Sequence, residues 1–306
     1  MSQFKSLFEF LKSNPTEQDC IDYYEQLRWK GELPISPYDP TSKVYKCKDN
    51  KYKCKNTDKY FNVRTGTVFR NSNISLQKWF WALYLYSSHK KGISSYQLHR
   101  DIGITQKTAW FMLHRLRHIS DCATFKEMLK DFIEIDETFI GGKNKNRHWD
   151  KKVPHSQGRS CKDKMPIWGA ISSGILITEV VPNTQQKTLE PIIRKHVKEG
   201  STINTDEWKA YNNLHKWFNH QRVNHGAKQY VNGKASTNSI ESAWACFKRG
   251  IYGTYHQVSR KHLPKYVAEF TFRFNTRKYK EQDRLDLVLL SSVGKSLSYR
   301  ELISTF

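Results

Sequence analysis

An aspartate in the middle of an apolar strand constrains this chain more than any other feature. The segment "DFIEIDETFIGG", residues 131–142, alternates apolar and polar side chains and ends in a glycine turn, the pattern of a half-buried strand. Asp136 stands at its centre, among Phe132, Ile133, Ile135 and Phe139. Acidic residues are depleted from strands, because a carboxylate gains little from packing on a pleated surface. An Asp in this position needs a reason.

The text that follows supplies the rest of a sheet. A polar, basic insert ("KNKNRHWDKKVPHSQGRSCKDK") is too charged for a core and reads as a loop. "PIWGAISS" and "ILITEVVPN" read as strands joined by Ser-Gly, as in a hairpin. "TLEPIIRKHVKEG" reads as a helix closed by Gly200, and "STINTDEWKAY" as a short strand running into a helix. A basic loop, then "NSIESAWACFKRG" and "SRKHLPKYVAEFTFRFNTRK", both helical, complete the run. Strand, strand, strand, helix, strand, helix and further helix is the order of a ribonuclease-H-like α/β core, expected over residues 131–280.

Upstream, residues 1–30 read as short helices: Ser13, Asn14 and Pro15 break the first and Thr16 can cap the second. Residues 31–70 change to Lys, Tyr, Asn and Pro with alternating aromatics, as in a small ribbon-like β module. Residues 71–125 are helical. Within them a helix seeded near Ser94 runs to Ile102, Gly103 turns, and Thr105 caps a second helix carrying Lys107, Arg115 and Arg117. That is the outline of a helix-turn-helix with a basic second member, although any two-helix hairpin shares it. Residues 281–306 read as a C-terminal tail.

Composition narrows the partner. The chain has 51 Lys+Arg against 29 Asp+Glu, a formal charge of +22, which favours a polyanion through counterion release. Its six cysteines (Cys20, Cys47, Cys54, Cys122, Cys161 and Cys246) lack a disulfide-like rhythm, so free thiols in the cytoplasm are expected. The first residues are too polar for a signal peptide. No apolar run approaches the roughly 18 residues of a membrane span.

Two further acids join Asp136. Asp206 follows the short strand "TIN", and Glu241 falls on the first turn of the late helix, 70 and 35 positions onward. Each has an ordinary reading: Asp206 can cap the helix after it, and Glu241 suits a positive helix N-terminus. Glu137 and Glu207 adjoin the aspartates and are expected to face outward or to stand behind them. Together, Asp136, Asp206 and Glu241 are the hard oxygen donors that a pair of Mg²⁺ ions, about 3.5–4 Å apart, needs for phosphodiester chemistry. They are then expected to converge within a few ångströms of a shared Mg²⁺ position. On the late helix, Ile240, Trp244, Phe247 and Ile251 form an apolar stripe. Glu241 and Lys248 share its edge about 10 Å apart, and Asn238 is the expected cap.

These residues resemble an insertion-sequence transposase of the ISXO-like group, the insertion-sequence 1595 family. The resemblance rests on "IEIDETFIGGK", "TDEWKAY", "NSIESAWACFKRGIYGTYHQVSRKHL" and "YVAEFTFRFNTR", with "FNVRTGTVF" and "QKTAWFMLHRLR" upstream, and covers most of residues 45–277. It implies a DDE triad of Asp136, Asp206 and Glu241 binding Mg²⁺ (or Mn²⁺), with Lys248 and neighbouring Arg249 holding phosphate. It implies double-stranded DNA as partner (terminal inverted repeats and target), a dimer or larger on DNA, and a bacterial, nucleoid-associated setting. A zinc ribbon is also implied, and here the chain departs: Ser36, Asp39 and Thr57 stand where three of the paired ligands belong, and only Cys54 remains. Cys47 is seven residues before Cys54, the wrong spacing for a C-x₂-C knuckle. The expectation is a ribbon without zinc, held by Tyr45, Tyr52, Tyr60 and Phe61. Two rivals remain open: a catalytically silent DNA-binding protein, and a structure-selective nuclease lacking strand transfer.

Overall fold

The computed structural model describes residues 6–13, 15–120, 127–141, 144, 147–154, 156, 160–223, 231–232 and 235–304. Cys122, residues 142, 143, 145, 146, 155 and 157–159 in and beside the basic insert, and the basic loop at 224–230 lie outside the described residues. Along the chain run α1 (Leu7–Ser13), α2 (Glu17–Trp29), β1 (Val44–Lys46), β2 (Tyr52–Cys54), β3 (Tyr60–Phe61), α3 (Leu76–Ser88), α4 (Ser95–Ile102) and α5 (Gln106–Ser120). There follow β4 (Phe132–Ile140), β5 (Met165–Ser172), β6 (Ile175–Val180), α6 (Gln186–His196), β7 (Thr202–Thr205), β8 (Asn219–Arg222), β9 (Val231–Asn232) and β10 (Ala235–Ser236). Last come α7 (Asn238–Gly250), α8 (Leu263–Asn275), α9 (Glu281–Ser291) and α10 (Tyr299–Ile303). They form two compact units, residues 1–122 with 278–306, and residues 123–277.

In the first unit, Thr16 and Asp19 form a reciprocal capping box at the start of α2. Glu17 then accepts from the free N–H groups of Leu76 and Gln77 at the start of α3, at 2.8 and 2.7 Å. One helix's first turn thus caps another, with the negative charge where the α3 dipole favours it. β1, β2 and β3 make an antiparallel sheet. Its aromatic anchor is narrower than expected: Tyr52 and Phe61 are buried and pack together beside Trp29, whereas Tyr45 and Tyr60 are exposed. Around Cys54 a hydroxyl cluster holds the turns. Ser36 Oγ accepts from the Tyr38 and Asp39 N–H groups at 3.2 and 3.3 Å, and Asp39 accepts from Asn56 Nδ2 at 2.7 Å. Burial would raise the Cys54 thiol, but hydroxyls of Ser36, Ser42 and Thr57 and the Thr57 backbone outweigh it and bring it down to about 6.

The segment read as a C-terminal tail is part of this unit. α9 buries Leu285, Val288 and Leu289, Tyr24 Oη lies 2.5 Å from Ser292 Oγ, and Arg284 donates to the Ser87 carbonyl at 2.9 Å. Apolar spacing in α9 announces a buried face but not which unit it returns to.

The second unit is a mixed α/β fold. Its sheet has the order β6-β5-β4-β7-β8, with β4 and β6 antiparallel to β5, and β7 parallel to β4 and β8. The expected hairpin joins β5 to β6 through Ser173 and Gly174, both at positive φ (48° and 81°), as a twist-matched two-residue turn requires. Helices cover both faces. Ile133, Ile135, Trp168 and Ile203 pack with Leu189 and Ile193 of α6 and with Tyr211 and Leu214 of a 3₁₀ helix (Lys209–Lys216). Ile140, Ile167 and Ile171 pack with Ile240, Trp244 and Phe247 of α7 and with Val267 and Phe270 of α8. The expected helix closed by Gly200 ends earlier, at His196, and Gly200 turns the chain into β7 instead.

Candidate active site

Alternation along β4 sends Ile133 and Ile135 to the α6 core, and Glu134, Asp136 and Thr138 to the face covered by α7. Glu137 belongs to the α6 side, where the Tyr211 hydroxyl donates to it. Parallel pairing sets Asn204 of β7 beside Glu134. Asp206 follows two residues later, just beyond the end of β7. Its Oδ1 accepts from the Trp208 N–H at 3.0 Å, the turn-capping bond that an Asp in this place makes.

His220 of β8 fixes the end of β7. Its Nε2 lies 2.9 Å from Thr205 Oγ1, which donates to the Asp206 carbonyl at 2.7 Å. Burial, then the charges of Arg222 and His215, lower His220 from 6.5 to about 4. Its contribution to stability is therefore complete above pH 6.5, where neutral His is also the unfolded form. It is lost as acid protonates the unfolded chain first, from 6.5 down toward 4. Melting temperatures measured across that window should fall with pH in the wild type and fall less steeply in His220→Asn.

The third acid is carried by α7. The expected cap, Asn238, is instead the first helical residue, and Thr237 is the N-cap. Thr237 makes no side-chain bond to the helix backbone, and its hydroxyl donates to Glu241 Oε1 at 3.0 Å. What satisfies the helix end comes from the sheet: Glu134 accepts from Ser239 Oγ at 2.9 Å and from the Ile240 N–H at 3.0 Å. A carboxylate at the positive end of α7 thus ties the helix to the strand that bears Asp136. Sequence reasoning passed over Glu134, although its alternation with Asp136 was a signal. Glu134→Ala should cost about 1–3 kcal/mol in chemical denaturation, the range for losing hydrogen bonds to a charged group.

The apolar stripe of α7 is as expected, with Ile240, Trp244, Phe247 and Ile251 all buried. Its closest seat is Gly169, the partner of Asp136 across β4 and β5. A Cβ on Gly169 would lie 2.4 Å from Trp244 Cζ2 and 2.7 Å from Cη2, so only glycine lets the indole lie this close to the strand. Glu241 is exposed on the first turn, and Lys248 and Arg249 occupy the last, Arg249 exposed.

β4 and the first turn of α7 thus carry Asp136 and Glu241 on one side of the sheet, and Asp206 lies just past the end of the neighbouring β7. Among the described residues no three His, Cys, Asp or Glu groups are set to cage a metal ion. The Glu241 carboxylate accepts from the Thr237 hydroxyl, and that of Asp206 from the Trp208 N–H.

The basic residues of α5 divide. Lys107 is exposed, its ammonium 5.0 Å from the Tyr299 ring centre. Arg115 and Arg117, expected to face DNA, are buried, and Arg115 Nε donates to the Leu297 carbonyl at 3.2 Å. The reason is that the middle of α5, from Met112 to Arg117, is enclosed on every side. A basic residue on an enclosed helix serves packing through its stem and hydrogen bonds through its head.

Comparison with known proteins gives four likenesses. Residues 128–275 match the family model described as the ISXO2-like transposase domain. The chain is 27% identical over 277 residues to an uncharacterized protein in transposable element ISH50 of Halobacterium salinarum, covering 86% of this chain and 92% of that protein. It is 35% identical over 106 residues to an uncharacterized transposase-like protein of Haemophilus influenzae, covering 34% of this chain and 85% of that one. Among solved structures, the Mos1 strand transfer complex aligns at 14% identity over 72% of this chain and 79% of that chain, with a TM-score of 0.28, a loose overlay. No described helix is long and apolar enough to cross a membrane.

Proposed function

Because this chain belongs to the ISXO2-like transposases of the insertion-sequence 1595 family, we propose that its second unit is a ribonuclease-H-like DDE core. In this reading it cleaves DNA at the ends of an insertion element and joins the freed 3′-hydroxyls to target DNA. The observation that carries the proposal is the meeting of β4, the end of β7 and the first turn of α7 on one side of the sheet. The strand order, with an antiparallel hairpin on one side of β4 and parallel strands on the other, supports the same core.

Asp136, Asp206 and Glu241 are the proposed metal ligands. Their chemistry fits Mg²⁺ (or Mn²⁺), a hard cation that retains several waters and so needs few carboxylates. When bound, two such ions supply the charge that activates an attacking oxygen and stabilises a leaving oxygen across phosphorus. The chain's own contribution is placement. Glu134 and Gly169 seat α7, Thr237 holds the Glu241 carboxylate, and His220 with Thr205 steadies the turn bearing Asp206. Lys248 and Arg249, about 10 Å along α7 from Glu241, would hold the phosphate backbone. α4 and α5 would serve as a helix-turn-helix, read through the exposed start of α5 at Lys107, since recognition helices contact bases with their first turns. Two element ends must be processed together, which calls for a dimer or larger.

The test is incubation of the purified protein with labelled ends of its own element and Mg²⁺, scoring cuts and joints. Both products are expected. Binding without cutting in any divalent metal would mean a silent DNA-binding protein, and cuts never followed by joints would mean a nuclease.

A further inference from the structure

Beside the three acids, on the same face of the sheet, lies a cavity of about 430 Å³ that none of the roles above uses. It opens between the start of β4, the start of α7, the β5–β6 turn and the end of α8, and its wall includes Phe132, Glu134, Asn204, Ser239, Phe274 and Arg277. Its volume lies in the range of small-ligand sites.

Three features of the wall point to one ligand chemistry. Asn204 is 3% exposed, yet its Oδ1 has no hydrogen-bond partner. A buried amide oxygen left unpaired costs free energy, so its retention calls for a donor brought by something else. The flanks are flat and aromatic: Phe132 is 53% exposed, and the Arg277 guanidinium lies 4.1 Å from the Phe274 ring centre. Arg277 is held there by donating to the Gly174 carbonyl at 2.9 Å. The third feature is the carboxylate of Glu134, which tells against a phosphate group inside the cavity. A neutral, planar, hydrogen-bonding ring fits all three.

Position adds a fourth argument. Glu134 and Asp136 are two residues apart on β4, about 7 Å, roughly one nucleotide step. Ser239 and Ser242 flank Glu241 on α7, and both line the cavity. A phosphodiester held at the acids therefore has a neighbouring base within reach of Asn204.

We propose that this cavity receives one unstacked nucleobase from the DNA strand held at the acids, with Asn204 reading its edge and Phe132 and the Phe274–Arg277 pair flanking its faces. Taking a base out of the stack costs free energy, which stacking and edge contacts in such a pocket offset. The proposal rests on the reading of this unit as a DNA-cleaving core.

The test uses full-length protein and element-end duplexes carrying 2-aminopurine, one at a time, at positions flanking the scissile phosphate. A several-fold fluorescence rise is expected at one position on binding. Asn204→Ala and Phe132→Ala should each abolish most of it. Phe132 is exposed and Asn204 Oδ1 is unpaired, so neither change should lower the melting temperature much. Normal cleavage of these ends with no rise at any position, or a full rise in Asn204→Ala, overturns the pocket and leaves the transposase reading standing. Ends that are neither bound nor cut overturn both.

Discussion

Asp136→Asn is expected to abolish strand cleavage, by about 10³-fold or more, while leaving affinity for element ends within about twofold. The two side chains are nearly isosteric, and β4 keeps its pairing with β5 and β7 whichever stands at this position. What changes is charge. A neutral amide is a poor ligand for Mg²⁺, so the loss falls on chemistry. DNA affinity depends on cations elsewhere in a chain of formal charge +22. Cleavage gels and shift assays on one protein preparation separate the two. The melting temperature should be unchanged or slightly raised, because one of several mutually repelling carboxylates has gone.

The second large effect is steric. Gly169→Ala puts a methyl group 2.4 Å from the Trp244 indole, in the seat of α7. Overpacking of this kind costs about 1–3 kcal/mol. The relief open to the molecule is to lift α7, and α7 carries Glu241. A displacement of about 1 Å at a reacting centre costs on the order of 10²-fold in rate. Cleavage should therefore fall in Gly169→Ala although no acid has been touched. Gly169→Ala combined with Trp244→Leu should recover stability and part of the rate. If the double variant is no better than the single, the indole contact is not what seats the helix.

The local features of the site were legible because each is written in neighbouring residues. Alternation around Asp136 marks a strand and its two faces, Ser-Gly marks the hairpin, and spacing from Ile240 to Ile251 marks the buried stripe. What stayed hidden is long-range. Nothing near Glu134 says that its carboxylate meets the start of a helix more than a hundred residues onward, or that Gly169 is small because Trp244 lies on it. Arg115 and Arg117 were misread for the same reason. Their charge suggests solvent, and only the folded chain, in which both are buried and Arg115 donates to the Leu297 carbonyl, shows that they are enclosed. The small β1–β3 sheet presents a subtler case. That positions 36, 39 and 57 hold Ser, Asp and Thr is plain in the sequence, but the hydroxyl cluster around Cys54 becomes visible only when those turns are brought together.

The central claim is that three acids on three elements act as one unit. It is tested most directly by measuring cleavage of element ends in Asp136→Asn, Asp206→Asn, Glu241→Gln and their pairwise combinations, at matched DNA occupancy. Residues that act as a unit are non-additive, since removing one already disables the rest. Each single variant is predicted to fall to the same floor, and no double variant to fall further. A single variant that retains cleavage near the wild-type rate, or losses that multiply in the doubles, would contradict the account.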